Sequence, residues 1–213
     1  MTHDIFCAVY THQSKRYCDD IFFNSLLTNI DGDCVHVIDN SNDSQRYCNS
    51  IKERFKLKFV ENLDIPIHPQ QTTFHRKVTE SVSYLRKMFL TTECKYFLIV
   101  ESDVILTNQN TVKTLVSTIE NLPANTGAVG ALYYEGFHDY TLTGVQQVPH
   151  VLSGCTLYKR ELIEKYPFRY DPDNLIPFPD AWICIDAKHE FSFYNNHELI
   201  CTHAHTKDGT RYI

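Results

Sequence analysis

The chain alternates between two hydrophobic periods. "IFCAVYT" (5–11) is a short, near-continuous apolar run and reads as a buried strand. In 14–30, Tyr17, Ile21, Phe22 and Leu26 recur at helical spacing, with Ser14 as a plausible N-cap. The alternation repeats: strand 33–43, helix 44–55, strand 57–62, then a long amphipathic helix over 72–92 with Val78, Val82, Leu85 and Phe89 on one face. A fourth strand follows in "KYFLIVESDVILTN" (95–108), then a helix over 109–122 and a strand over 127–134. Apolar strands separated by helices predict a mainly parallel sheet covered by helices on both faces. After residue 135, turns and aromatics crowd in. Short helices are expected at 159–166 and 180–189, and a last strand at 197–206. We expect one α/β domain over 1–213, an α/β half (1–106) completed by an α+β half (107–213).

One detail disturbs the pattern. Glu101 and Asp103 interrupt the most hydrophobic segment of the chain. On a strand they share a face, with Cα atoms roughly 6.5–7 Å apart. Unpaired, buried carboxylates are costly, and a divalent cation is their natural partner. Their position where strand 96–100 ends is where open α/β sheets bind ligands. Taken alone, such a pair is more often a solvated strand end; the flanking "YFLIV" and "VIL" favour a site. His203 and His205 form a second i, i+2 pair, followed by Lys207 and Arg211. Either imidazole could join the carboxylates, shifting preference from Mg²⁺ toward Mn²⁺. His205 is favoured because it is nearer the basic tail, whose cations can meet a diphosphate.

Composition narrows the classes. The 213 residues carry a net charge of −6, which argues against a nucleic-acid groove. No apolar run reaches the ~20 residues of a membrane span, and the N-terminus lacks the basic region of a signal peptide. Eight scattered cysteines form no CxxC pair, and several fall inside apolar runs, as buried thiols do. These features lead us to expect a soluble cytoplasmic protein.

The order and spacing of these motifs resemble the GT-A glycosyltransferases, over nearly the whole chain. Glu101-Ser102-Asp103 is similar to their DxD motif, with Glu for Asp at the first position. "VIDNSNDS" (37–44), "AVYTH" (8–12) and "TTFHRKVTESVSYL" (72–85) are similar to their donor-binding segments. The resemblance implies a 1–106 half that binds a nucleotide sugar through Tyr10, Thr11, Asp39, Arg76, Glu101 and Ser102, joined by Lys207 from the other half. It implies a metal, Mn²⁺ or alternatively Mg²⁺, on Asp103 and one of the two histidines, with His205 favoured. "LSGCTLYKRELIEKYPF" (152–168) resembles the small-residue turn and short helix of the acceptor side, which would include Gly154 and Trp182. The "PDAW…HAH" block (179–205) puts Asp180 at the catalytic-base position of inverting members. Pro179 stands where those enzymes often carry an acid, so Asp186, Asp171 or Asp173 remain alternatives. The chain also looks like the N-terminal glycosyltransferase domain of a multidomain chlorella-virus protein, which implies further domains C-terminal to it.

The expected reaction moves a sugar from a UDP-sugar donor to a hydroxyl of a glycan or glycoprotein acceptor. Plainer roles stand beside each assignment. Asp180 is also a reasonable N-cap, Asp39 an Asx turn, Arg76 a solvated helix residue, Trp182 a core residue and Gly154 a turn glycine. A metal-dependent hydrolase and a non-catalytic sugar-nucleotide or glycan-binding module are the rival functions.

Overall fold

The computed structural model describes residues 4–66, 73–133, 142–171, 178–207 and 210–212. Four parallel strands form one half of the sheet, in the order β3 (Phe59–Asn62), β2 (Val35–Asp39), β1 (Ile5–Thr11), β4 (Tyr96–Glu101). Every residue of β1 is buried, as a central parallel strand covered on both faces requires. Helices α1 (Asp19–Leu27), α2 (Arg46–Phe55) and α3 (Thr73–Leu90) make the crossovers. Alternate β1 and β4 residues feed two cores. Cys7, Val9, Leu98 and Val100 face the α1/α2 side, whereas Phe6, Ala8, Phe97 and Ile99 face α3. Each large side chain fully buried there contributes about 1.5–3 kcal/mol.

The sheet continues as β8 (Cys155–Lys159), β6 (Thr126–Tyr133), β9 (Ser192–His203) and β5 (Val104–Ile105), with β7 (Val145–Val148) also on β9. Here β8 is antiparallel to both β4 and β6, and β5 and β7 are antiparallel to β9. Only β6 and β9 run parallel. Helices α4 (Thr111–Asn121), α5 (Arg160–Lys165) and α6 (Pro179–Ala187) complete this half, and β10 (His205–Lys207) pairs with β11 (Thr210–Tyr212) as a hairpin.

Several expectations need correcting. β8 and β7 were not foreseen, and β9 begins at Ser192, earlier than 197. The segment 14–30 is a 3₁₀ turn (Gln13–Cys18) followed by α1, and the N-cap of that turn is His12, whose Nδ1 accepts from the Ser14 N–H. The fourth strand stops at Glu101, and Ser102–Asp103 form a turn into β5, which joins a different neighbour. The two carboxylates are therefore not strand partners on one face. None of the eight cysteines is in a disulfide, and seven are buried. Among the described residues, no helix is long and apolar enough to cross a membrane.

Candidate active site

The site forms where β1 and β4 end. Tyr10 and Glu101 are register partners, so their side chains emerge side by side, and the Tyr10 hydroxyl donates to Glu101 Oε1. Because β8 runs antiparallel to β4, the turn preceding β8 reaches the same place: Gly154 O accepts from the Glu101 N–H at 3.0 Å. The hydroxyl of Ser153 donates to the same Glu101 Oε1, and Tyr10 and Ser153 oxygens stand 3.4 Å apart. Burial, and then the charge of Asp103, push the Glu101 carboxyl up.

Asp103 is held differently. Pairing of Val104 with His203, together with the Ala204 N–H donating to Asp103 O at 2.7 Å, docks the end of β9 against the Ser102–Asp103 turn. His203 Nε2 lies 3.1 Å from Asp103 Oδ2, and the Lys15 ammonium contacts the same oxygen. Asp103 is only 3% exposed. Burial pushes its carboxyl up, but His203 and Lys15 outweigh burial and hold it below its ordinary value. One ligand atom each from Glu101, Asp103 and His203 fall within 4.8 Å of one another. Two carboxylates and an imidazole suit a divalent cation of borderline hardness, Mn²⁺ more than Mg²⁺.

Two cavities share this wall. One, of about 320 Å³, is lined by Thr11, His12, Asn40, Lys77 and Ser102 together with Tyr10, Lys15, Glu101 and Asp103. The other, of about 690 Å³, adds Tyr133, His150, Ser153, Asp180 and His203 to the last four. Exposed Phe74 borders both, and exposed Phe178 borders the larger. Asp180 lies in the first turn of α6, after Pro179 at its start. It is not the N-cap, which is Phe178. Its Oδ2 accepts from the Ser153 N–H at 2.8 Å and its Oδ1 from the Ala181 N–H at 3.0 Å. Burial pushes its carboxyl up despite these bonds. Ser153 thus touches Glu101 with its hydroxyl and Asp180 with its backbone.

The other expected residues lie elsewhere. Asp39 is fully buried and closes a turn, accepting from the Ser41 N–H and from Asn62. It lines neither cavity, whereas its neighbour Asn40 does. Arg76 also lines neither and stands 4.0 Å from Glu80; the cavity cation on α3 is Lys77. Trp182 is 7% exposed and its ring is covered by the Arg169 guanidinium at 3.6 Å, so it offers no open platform. Gly154 lies behind the wall: an added Cβ would fall 2.2 Å from the Tyr133 ring, which packs edge-on against His203 at 5.2 Å. Asp186 is engaged by Arg169 in a two-point ion pair, Asp171 lines neither cavity, and Asp173 lies outside the described residues. The side chains of His205 and Lys207 also lie outside them; among the described residues, the histidine that meets Asp103 is His203. Lys15 and Ser153 were missed. The only hints were a lysine just after the first strand and a serine beside the turn glycine.

No protein-family model matches the sequence, and no curated protein matches it at a significant level. Solved structures do. The mannosyltransferase PcManGT from Pyrobaculum calidifontis, in complex with GDP-Man and Mn²⁺, superposes with a TM-score of 0.67 at 14% identity, over 97% of this chain and 58% of that one. Glucosyl-3-phosphoglycerate synthase from Mycobacterium tuberculosis, in complex with Mn²⁺ and UDP-glucose, gives 0.56 at 16%, over 95% and 71%. S. aureus TarS 1–349, in complex with UDP, gives 0.60 at 19%, over 98% and 59%. The chain thus spans less than two thirds of the mannosyltransferase and of TarS 1–349. It has the GT-A fold, a mixed α/β sheet flanked by helices.

Proposed function

We propose that this chain is a divalent-metal-dependent glycosyltransferase that moves a sugar from a UDP-sugar to a hydroxyl of a glycan acceptor, with inversion at the transferred carbon. The observation that carries the reading is the convergence of Glu101, Asp103 and His203 on a wall shared by two cavities, with Asp180 in the larger one. Solved structures of the same fold hold nucleotide sugars with Mn²⁺.

A donor would lie in the smaller cavity, against Thr11, Asn40 and Lys77, with its diphosphate toward Lys15 and the acid pair. A bound cation supplies charge stabilisation for the departing diphosphate. Tyr10 and Ser153 orient Glu101 by binding its Oε1. Asp180 takes the acceptor proton: a buried carboxylate with a raised pKa is the better base near neutrality. Its two backbone N–H bonds fix where its oxygens point. A base on the acceptor side, across from the diphosphate, gives inversion.

The test is thermal shift with UDP, GDP and UDP-sugars, each with and without Mn²⁺, on wild type and Asp103→Asn. UDP at about a hundred times its Kd should raise Tm by about 5–10 °C in the presence of Mn²⁺. Neither metal-free wild type nor Asp103→Asn should respond. Equal shifts without metal contradict the reading. Binding without UDP release, in the presence of glycan acceptors, would favour the non-catalytic module.

A further inference from the structure

We propose that Lys15 is a built-in counter-ion of the acid pair, which a divalent cation must displace and which a diphosphate then captures. Lys15 would thereby make cation binding and diphosphate binding depend on each other. The diphosphate part rests on the donor-binding reading above.

Asp103 needs a positive partner because its carboxylate is nearly sealed from water, with a side chain only 4% exposed. Lys15 supplies it. The ammonium contacts Asp103 Oδ2, the same oxygen that His203 Nε2 approaches at 3.1 Å. Asp103 also offers a carboxylate oxygen to the set of ligand atoms gathered within 4.8 Å. A cation held by Glu101, Asp103 and His203 and an ammonium on the same Asp103 carboxylate are like charges at close range, and they repel strongly. One of the two has to leave.

Lys15 is built to move without its backbone moving. Its main chain is pinned in the 3₁₀ turn: the Lys15 N–H donates to His12 O at 2.8 Å, and Lys15 O accepts from the Cys18 thiol at 3.1 Å. The side chain is a flexible four-carbon stem, 31% exposed, and it lines both cavities. Once off Asp103, the ammonium can swing into the space a diphosphate would occupy. Lys77, the other lysine of the smaller cavity, is already tied to Asn40 O at 2.9 Å and does not touch the acids. Without a diphosphate, an incoming cation competes with Lys15. With one, Lys15 has a new anion to pair with, and the acid pair is left to the metal.

The test is a calorimetric Mn²⁺ titration, with and without saturating UDP, on wild type, Lys15→Met, Lys15→Arg and Lys77→Met. Lys15→Met keeps the stem and removes the charge. It should bind Mn²⁺ alone about tenfold more tightly than wild type, and the factor by which UDP tightens Mn²⁺ should fall about tenfold. Lys15→Arg and Lys77→Met should bind Mn²⁺ alone as wild type does. Lys15→Met binding Mn²⁺ alone no more tightly than wild type overturns the inference, as does an equal gain in Lys77→Met. The donor reading fails separately, through a wild-type Mn²⁺ affinity that UDP does not change. The Mn²⁺-alone comparison still tests the counter-ion in that case.

Discussion

The two halves of the sheet differ in construction and in what they bring to the crevice. From β3 to β4 the strands are all parallel, joined by helices, and their polar groups emerge at the strand ends: Tyr10, Thr11 and Glu101, with Lys15 and Asp103 just beyond. From β8 onward, antiparallel strands alternate with parallel ones, and the polar groups come from a turn, from the start of α6 and from the end of one long strand: Ser153, Asp180 and His203. Neither half completes a site. Glu101 is oriented partly by Ser153, Asp103 is backed by His203, and Asp180 hangs on the backbone of Ser153. The candidate site therefore lies on the seam, and the side chains that each half contributes can be removed separately.

That division can be broken experimentally, starting from the second half. With Asp180 as the proposed base, Asp180→Asn should lower transfer by about 10²- to 10⁴-fold while Mn²⁺-dependent UDP binding persists, because a base of that kind would serve the acceptor side alone. Unchanged turnover would remove Asp180 from that role. Gly154→Ala should cost about 1–3 kcal/mol in chemical denaturation, since its methyl group would drive into the Tyr133 ring. Through Tyr133 it should also weaken Mn²⁺ binding at His203. Ser153→Ala should cost about 1 kcal/mol and raise the Glu101 carboxyl further, because it removes a hydroxyl from Glu101 and leaves the N–H on Asp180.

The smallest effect belongs to the first half, away from the seam. His36 is stacked between Phe6 at 3.9 Å and Phe59 at 4.3 Å, and burial pushes its imidazole down to about 4. The unfolded chain takes up that proton near pH 6.5. Between those values the unfolded state binds more protons, so this contribution is complete above pH 6.5 and is lost as pH falls toward 4. His36→Leu should flatten that part of a Tm-against-pH curve without altering UDP binding.

The difference between the halves also explains what could be read in the sequence. In the first, each strand is an apolar run and each helix repeats at 3.6, so β1 to β4 and α1 to α3 are legible in order and type, although β4 ends at Glu101 rather than 108 and α1 begins only at Asp19. In the second, β8 runs directly into α5 at Arg160, with no turn residue to mark its end. β9 opens on "SFYNNHE", where buried Asn195 and Asn196 hide the strand's apolar signature. β5 is two residues long, too short for any periodicity. That short strand is what brings His203 beside Asp103, so spacing alone could not separate the two histidines. Arg169 covering Trp182 is a contact between elements, and no local pattern announces it.

The central claim is that one cation site is made across the seam, by Glu101 and Asp103 from one half and His203 from the other. The most direct measurement is calorimetric titration of Mn²⁺ in saturating UDP on wild type, His203→Ala and His205→Ala. His203→Ala should weaken Mn²⁺ at least tenfold, and His205→Ala should match wild type. Tight Mn²⁺ binding by His203→Ala, with loss in His205→Ala, would contradict the site.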